Sequence, residues 1–208
     1  MKRITAMMLA AVMGLSLTAC NASEKVSVLE SAASTQAATL PEVPEGAITD
    51  ESGSFVYDGP LRQGGDDENG YIQVPLGYVN FQEEGVEGLT QYSDPTGVNV
   101  VTLDCYKDIN YQDAANNLRA YMESQTNIEG LTGAVVPING YNALQLYCHF
   151  TDADKFLVTW LIEDPANTMN TYYLAIEFVN EKSEIMACSS TFQTKEDYHA
   201  SAANADNT

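Results

Sequence analysis

Basic residues are scarce in this chain. Nine Lys and Arg stand against 29 Asp and Glu, giving a formal charge of −20. Phosphate binding needs clustered Lys and Arg, so nucleic acid is excluded as a partner. The same deficit argues against an electrostatic grip on anionic lipid. Only two histidines are present, and neither belongs to an H-E-x-x-H pair. No G-x-S-x-G elbow and no phosphate-cradling glycine loop occurs. The four cysteines include no C-x-x-C spacing of the kind metal sites use. No apolar run reaches the roughly 20 residues needed to span a bilayer as a helix. There is no internal repeat. These absences leave no nameable catalytic set, and the expectation is a protein that is not an enzyme and takes no cofactor or metal.

What is present begins at the N-terminus. Lys2 and Arg3 precede an uncharged, mostly apolar run from Ile4 to Leu17. A basic start, a short apolar core and small residues at its end describe an export signal. The run closes on Leu17-Thr18-Ala19-Cys20. This "LTAC" resembles the lipobox of bacterial lipoproteins, whose cysteine is diacylated and becomes the first mature residue. The resemblance implies a signal peptide over 1–19, a lipid attachment at Cys20 and a location outside the cytoplasm, anchored at the bacterial cell envelope. Each buried methylene contributes roughly 0.8 kcal/mol, and two acyl chains hold a protein on a membrane where one does not. Loss of Lys2 and Arg3 with the signal takes the charge from −20 to −22.

Residues 20–54 read as a flexible tether, rich in Ser, Ala, Thr, Glu and Pro, with no sustained apolar period. A chain of that length has an r.m.s. reach of roughly 30 Å. A single domain is expected over 55–195. "GGDDENG" (Gly64 to Gly70) has the composition of a turn. "YIQVP" alternates, with Ile72 and Val74 on one side, and Pro75 ends it. "LTQYSDPTGVNVVTLDCY" is a hairpin about Asp94 to Gly97. A helix over Tyr111 to Gln125 is capped by Asn110, with Ala114, Ala115, Leu118, Tyr121 and Met122 on one stripe. Gly130 and Gly133 stop it. Strands follow in "GAVVPI", "NALQLYCHF", "KFLVTWLIE" and "TYYLAIEFV", joined by turns at Asn139-Gly140 and Asp152 to Asp154. "KFLVTWLIE" is apolar on both faces and reads as a strand covered on both sides. A second helix capped by Asn180 carries Ile185, Cys188, Ser189 and Phe192, and a disordered tail is expected over 196–208. Segregated strands and helices give an α+β class, a central antiparallel sheet with helices packed on it.

"VPLGY" and the closing "IMACSSTF", with the strand-helix-meander-helix order between them, resemble small PsbP/Mog1-like domains over Tyr71 to Thr194. The resemblance implies a sheet between helical layers, an α/β/α sandwich. It also implies a mostly non-catalytic role, as assembly factor, binding partner or envelope lipoprotein. Tyr78 stands where that pattern commonly has Trp, and the metal-binding histidines of the plant proteins have no counterpart here.

Two groups of side chains remain as candidates. Strand and helix parity points Cys105, Cys148 and Cys188 into the core. Free buried thiols, a Cys105–Cys148 disulfide and a reactive nucleophile are the three readings that leaves. Tyr141, Tyr147, Trp160, Tyr172 and Tyr173 cluster in the sheet half and offer a groove for a protein partner or ligand, against ordinary strand propensity. His149 is a partly exposed cross-strand partner, and His199 in the tail carries no role. The acid-rich turns at Asp66 to Asn69 and Asp152 to Asp154 fail calcium-loop spacing. The function expected is therefore a lipid-anchored extracytoplasmic domain that binds or scaffolds an envelope protein. The alternative is a small-ligand or cation-binding module.

Overall fold

The computed structural model describes residues 57–82, 87–179 and 183–205. The segments read from sequence as a signal peptide (1–19) and a tether (20–54), with Cys20, lie entirely outside them. Among the described residues no helix is long and apolar enough to cross a membrane.

The described residues form nine strands, β1 Leu61–Asp66, β2 Gly70–Pro75, β3 Val79–Phe81, β4 Thr90–Ser93, β5 Val100–Tyr106, β6 Ile128–Val135, β7 Ala143–Phe150, β8 Lys155–Glu163 and β9 Thr171–Phe178. Seven of them make one antiparallel sheet in the order β3-β4-β5-β9-β8-β7-β6, and β1-β2 is a separate hairpin. The α-helices are α1 Tyr111–Glu123 and α2 Lys195–Ala205, with a 3-10 helix at Ser183–Thr191 before α2. The class is α+β, as the segregation of strands and helices predicts.

Period-2 alternation divides the core into two layers. On one face Val101, Leu103, Cys105, Val158, Trp160, Ile162, Leu174 and Ile176 meet Ile72 and Val74 of the hairpin and Ile185, Cys188 and Phe192 of the 3-10 segment. On the other, Leu144, Leu146, Cys148, Leu157 and Leu161 meet Ala114, Ala115, Leu118 and Met122 of α1. The N-cap of α1 is reciprocal: Asp113 N donates to Asn110 Oδ1 at 2.9 Å and Asn110 Nδ2 donates to Asp113 Oδ2 at 2.7 Å, which satisfies one of the free amides of the first turn. β8 lies between β9 and β7 and is covered on both faces.

Four expectations are corrected. "GGDDENG" is not wholly a turn. Its first three residues end β1, and only Asp67 to Asn69 turn. β6 starts at Ile128, ahead of "GAVVPI", and takes Gly130 and Gly133 into the strand, where the register shifts between Glu129 and Thr132. The second helix is a 3-10 helix, and the Asn180 cap lies outside the described residues. The hydroxyls of Ser189, Ser190 and Thr191 donate to the carbonyls of Met186, Ala187 and Cys188, so the side chains reinforce a three-residue spacing. Finally, the tail expected to be disordered from Glu196 is α2. It buries none of its residues, so no apolar stripe marked it. It is held by polar and ring contacts to the β1-β2 hairpin.

Candidate functional site

The five aromatic residues do not form one groove. Trp160 and Tyr172 are buried in the layer under the hairpin, with Tyr141 and Tyr147 packed half-buried against it. Tyr173 is buried in the opposite layer, where it stacks on Tyr106 with centroids 5.5 Å apart. Alternation itself is the signal that separates them, because Tyr172 and Tyr173 are adjacent in β9 and must face opposite ways. Trp160, Tyr172 and Tyr173 are core. Tyr141 is tied down by its hydroxyl, which hydrogen-bonds Asp197 of α2.

The thiols resolve the same way. Cys105, Cys148 and Cys188 are free and buried. Cys105 and Cys148 lie in opposite layers, on strands separated by β9 and β8. Three strand spacings put them roughly 14 Å apart, about twice the span a disulfide bridges. Burial pushes Cys148 and Cys188 up to about 12 and raises Cys105, against which Lys107 Nζ lies 3.1 Å from its Sγ. Thiols held protonated in this way are poor nucleophiles. His149 stacks on Phe156 across the strand pair, centroids 4.7 Å apart, with Nε2 3.0 Å from Asp154 Oδ1.

His199 is not idle, contrary to the sequence reading. Its Nε2 lies 2.7 Å from Asp67 Oδ1, which also accepts the Tyr71 hydroxyl at 2.7 Å, and Lys195 Nζ is 3.3 Å from Oδ2. The hydroxyl and the imidazole hold the Asp67 carboxyl down to about 2, and Tyr71 stacks on Tyr198 at 3.8 Å. This cluster fastens α2 to the hairpin turn. Asp66 is likewise engaged, accepting Glu68 N and Asn69 N on Oδ1 and the Thr90 hydroxyl on Oδ2. The acid-rich turn thus spends two of its carboxylates on protein donors.

The cations follow one rule. Arg62 donates to Tyr78 O at 2.7 Å and lies over the Tyr92 ring, Arg119 pairs with Glu123, Lys155 with Glu177, Lys195 with Asp67, and Lys107 with Cys105. Every Lys and Arg among the described residues therefore has an internal partner, while Asp58, Asp108, Glu129, Asp152 and Glu196 face outward. The resulting surface potential favours basic partners and opposes anionic ones.

A second polar feature lies on the α1 side of the sheet, on β5, β8 and β9. Asp104, Tyr173 and Thr159 share this face by register. Tyr173 Oη and Thr159 Oγ1 are buried without a hydrogen-bond partner. Burial lifts the Asp104 carboxyl to about 6 despite the amide of Cys105, which donates to Oδ1 at 2.7 Å. The folded state then holds this proton more tightly than the unfolded chain. Stability contributed by protonated Asp104 is present at low pH, declines as pH rises from about 4, and is gone above about 6. Asp104→Asn is expected to stabilise the protein by about 1–3 kcal/mol at pH 8 and to change little at pH 4. Denaturant titrations at the two pH values check this, and an equal effect at both would refute the assignment.

No protein-family profile matches the chain, and no curated protein matches it. Among solved structures, the solution structure of cyanobacterial PsbP (CyanoP) from Synechocystis sp. PCC 6803 is similar with a TM-score of 0.50 and 11% identity, over 67% of this chain and 95% of that one. The crystal structure of LpqN, involved in cell envelope biogenesis of Mycobacterium tuberculosis, is similar with a TM-score of 0.41 and 14% identity, over 64% of this chain and 88% of that one. The likeness to CyanoP shows a PsbP-like fold.

Proposed function

We propose that this chain is a lipid-anchored, extracytoplasmic, non-enzymatic module that binds or scaffolds a protein partner at the bacterial cell envelope. The observation that carries the reading is the internal pairing of every described lysine, arginine and histidine, beside thiols that are all buried. Groups that would attack a substrate or hold an anion are used here to hold the fold together. The outward carboxylates of Asp58, Asp108, Glu129, Asp152 and Glu196 have no such role in the fold and remain for a partner. A small-ligand module is the second reading, favoured by the unpartnered Tyr173 Oη and Thr159 Oγ1, which a polar ligand reaching between α1 and the sheet would satisfy.

The test uses the full chain in a bacterial host. Wild type is expected in the membrane fraction with the mass of a Cys20-initiated polypeptide plus its lipid, and Cys20→Ser is expected to lose both the lipid and the membrane association. Crosslinking in the intact envelope is expected to give one discrete adduct with a second protein. An unlipidated, freely soluble wild-type product would overturn the anchor. Adducts of the chain with itself alone would overturn the partner.

A further inference from the structure

We infer that the open edge of β6 is the docking strand for that partner, and that it accepts an extended segment with lysine or arginine at one end and apolar residues at the other. The inference rests on the partner reading above and specifies its site.

β6 ends the seven-stranded sheet, paired to β7 on one side and to no strand on the other among the described residues. A strand edge offers a row of unpaired amides and carbonyls, and natural proteins guard long edges with Lys, Pro or inward charges. From Gly130 to Val135, "GLTGAV", β6 has none of these, and of the devices that blunt an edge it carries a bulge at its start. Its single irregularity is the register shift between Glu129 and Thr132, where Gly130 takes a φ of +64°. Beyond that bulge the register with β7 is regular from Thr132 to Val135.

The amide directions follow from the ladder. Val136 N donates to Ala143 O at 3.2 Å, so it faces β7. Antiparallel pairing alternates inward and outward residues. The amides of Ala134 and Thr132 therefore also face β7, while those of Gly133 and Val135 point out of the sheet. These outward groups are what an added strand would bond, the mode known as β-augmentation.

The two ends of this edge differ in chemistry. Glu129 is opposite His149, beside the β7-β8 turn that carries exposed Asp152 and Asp154. Thr151 N donates to Asn127 O at 2.9 Å, which draws this turn onto the start of β6. Three carboxylates thus gather at one end. At the other end Val135 is 62% exposed, the most exposed of the large apolar side chains described. A second copy of this chain would bring its own acid surplus against the carboxylate end. A basic-ended, otherwise apolar strand complements both ends.

The test uses purified mature chain and two synthetic peptides as long as β6, alternating Thr and Val, one closed by two lysines and the other by two glutamates. Hydrogen exchange read by NMR is expected to show the lysine peptide slowing the Gly133 and Val135 amides, and the glutamate peptide leaving them unchanged. Val135→Pro removes an outward amide without touching the β7 ladder and is expected to weaken binding about tenfold. Glu129→Lys, which leaves the strand intact and two carboxylates in place, is expected to narrow the preference for the lysine peptide. Unchanged Gly133 and Val135 exchange, or binding indifferent to both substitutions, would overturn the inference. A heteromeric adduct in the envelope that survives Val135→Pro would do so while leaving the partner reading in place.

Discussion

Phe192→Ala is expected to cost about 3–5 kcal/mol of folding stability. Phe192 is wholly buried where four parts of the fold meet. Its ring lies edge-on to Tyr172 of β9 at 5.6 Å and to Tyr141 at 5.7 Å. It also lies beneath Gly70 at the start of β2, close enough that a Cβ there would come within 2.9 Å of it. Its carbonyl accepts Asn139 Nδ2 at 2.7 Å from the β6-β7 turn. Truncation removes transfer energy, leaves a cavity that these four elements cannot all close, and loses two ring–ring contacts that contribute about 0.5–1.5 kcal/mol each. Urea unfolding should show the midpoint falling with little change in slope. Phe192→Leu keeps most of the volume and should cost under about 1.5 kcal/mol. A loss below about 1 kcal/mol for the alanine variant would mean that this junction does not carry the layer.

Gly65→Ala is the second large effect, and its origin is backbone rather than cavity. Gly65 sits in β1 at a φ of +99°, where L side chains are strained. A Cβ there would lie 2.1 Å from Gly70 O and 2.7 Å from Tyr71 Cα. Both obstacles are main chain of the paired strand, so no rotamer change relieves them. Strain contributes about 1–3 kcal/mol and overpacking a similar amount, giving about 2–6 kcal/mol together. The hydrogen bond from Gly65 N to the Tyr92 hydroxyl, 2.6 Å, would be displaced with it, loosening the hairpin from the sheet. Gly97→Ala is the control: it too has positive φ, but a Cβ there meets nothing within 4 Å, so it reports the strain alone. Thermal melts of the two variants should separate by several degrees, and equal melting points would show that the close approach is not enforced.

Much of this architecture is legible in the sequence. Asn110 ahead of the Ala114, Ala115, Leu118 and Met122 stripe located α1 because capping and period 3.6 are both local. Alternation in "YIQVP" and "NALQLYCHF" assigned Ile72, Val74 and Cys148 to the interior for the same reason. The aromatic groove failed because it grouped residues by type along the chain and ignored the parity that divides Tyr172 from Tyr173. α2 leaves no mark in the sequence, because a helix with no buried residue has no apolar period to read. Its attachment depends on Asp67, more than a hundred positions away in sequence.

Local chemistry in the chain, by itself, determined the capped helix α1, most of the strands and which of their side chains turn inward. It also set the acid surplus. The tertiary structure decided that β5 pairs with β9, that Cys105 and Cys148 lie on opposite faces, and that β6 ends the sheet among the described residues. Those outcomes depend on pairings between residues far apart in sequence. Their energies come from burial and hydrogen bonding that exist only once the strands have met, so no local pattern records them.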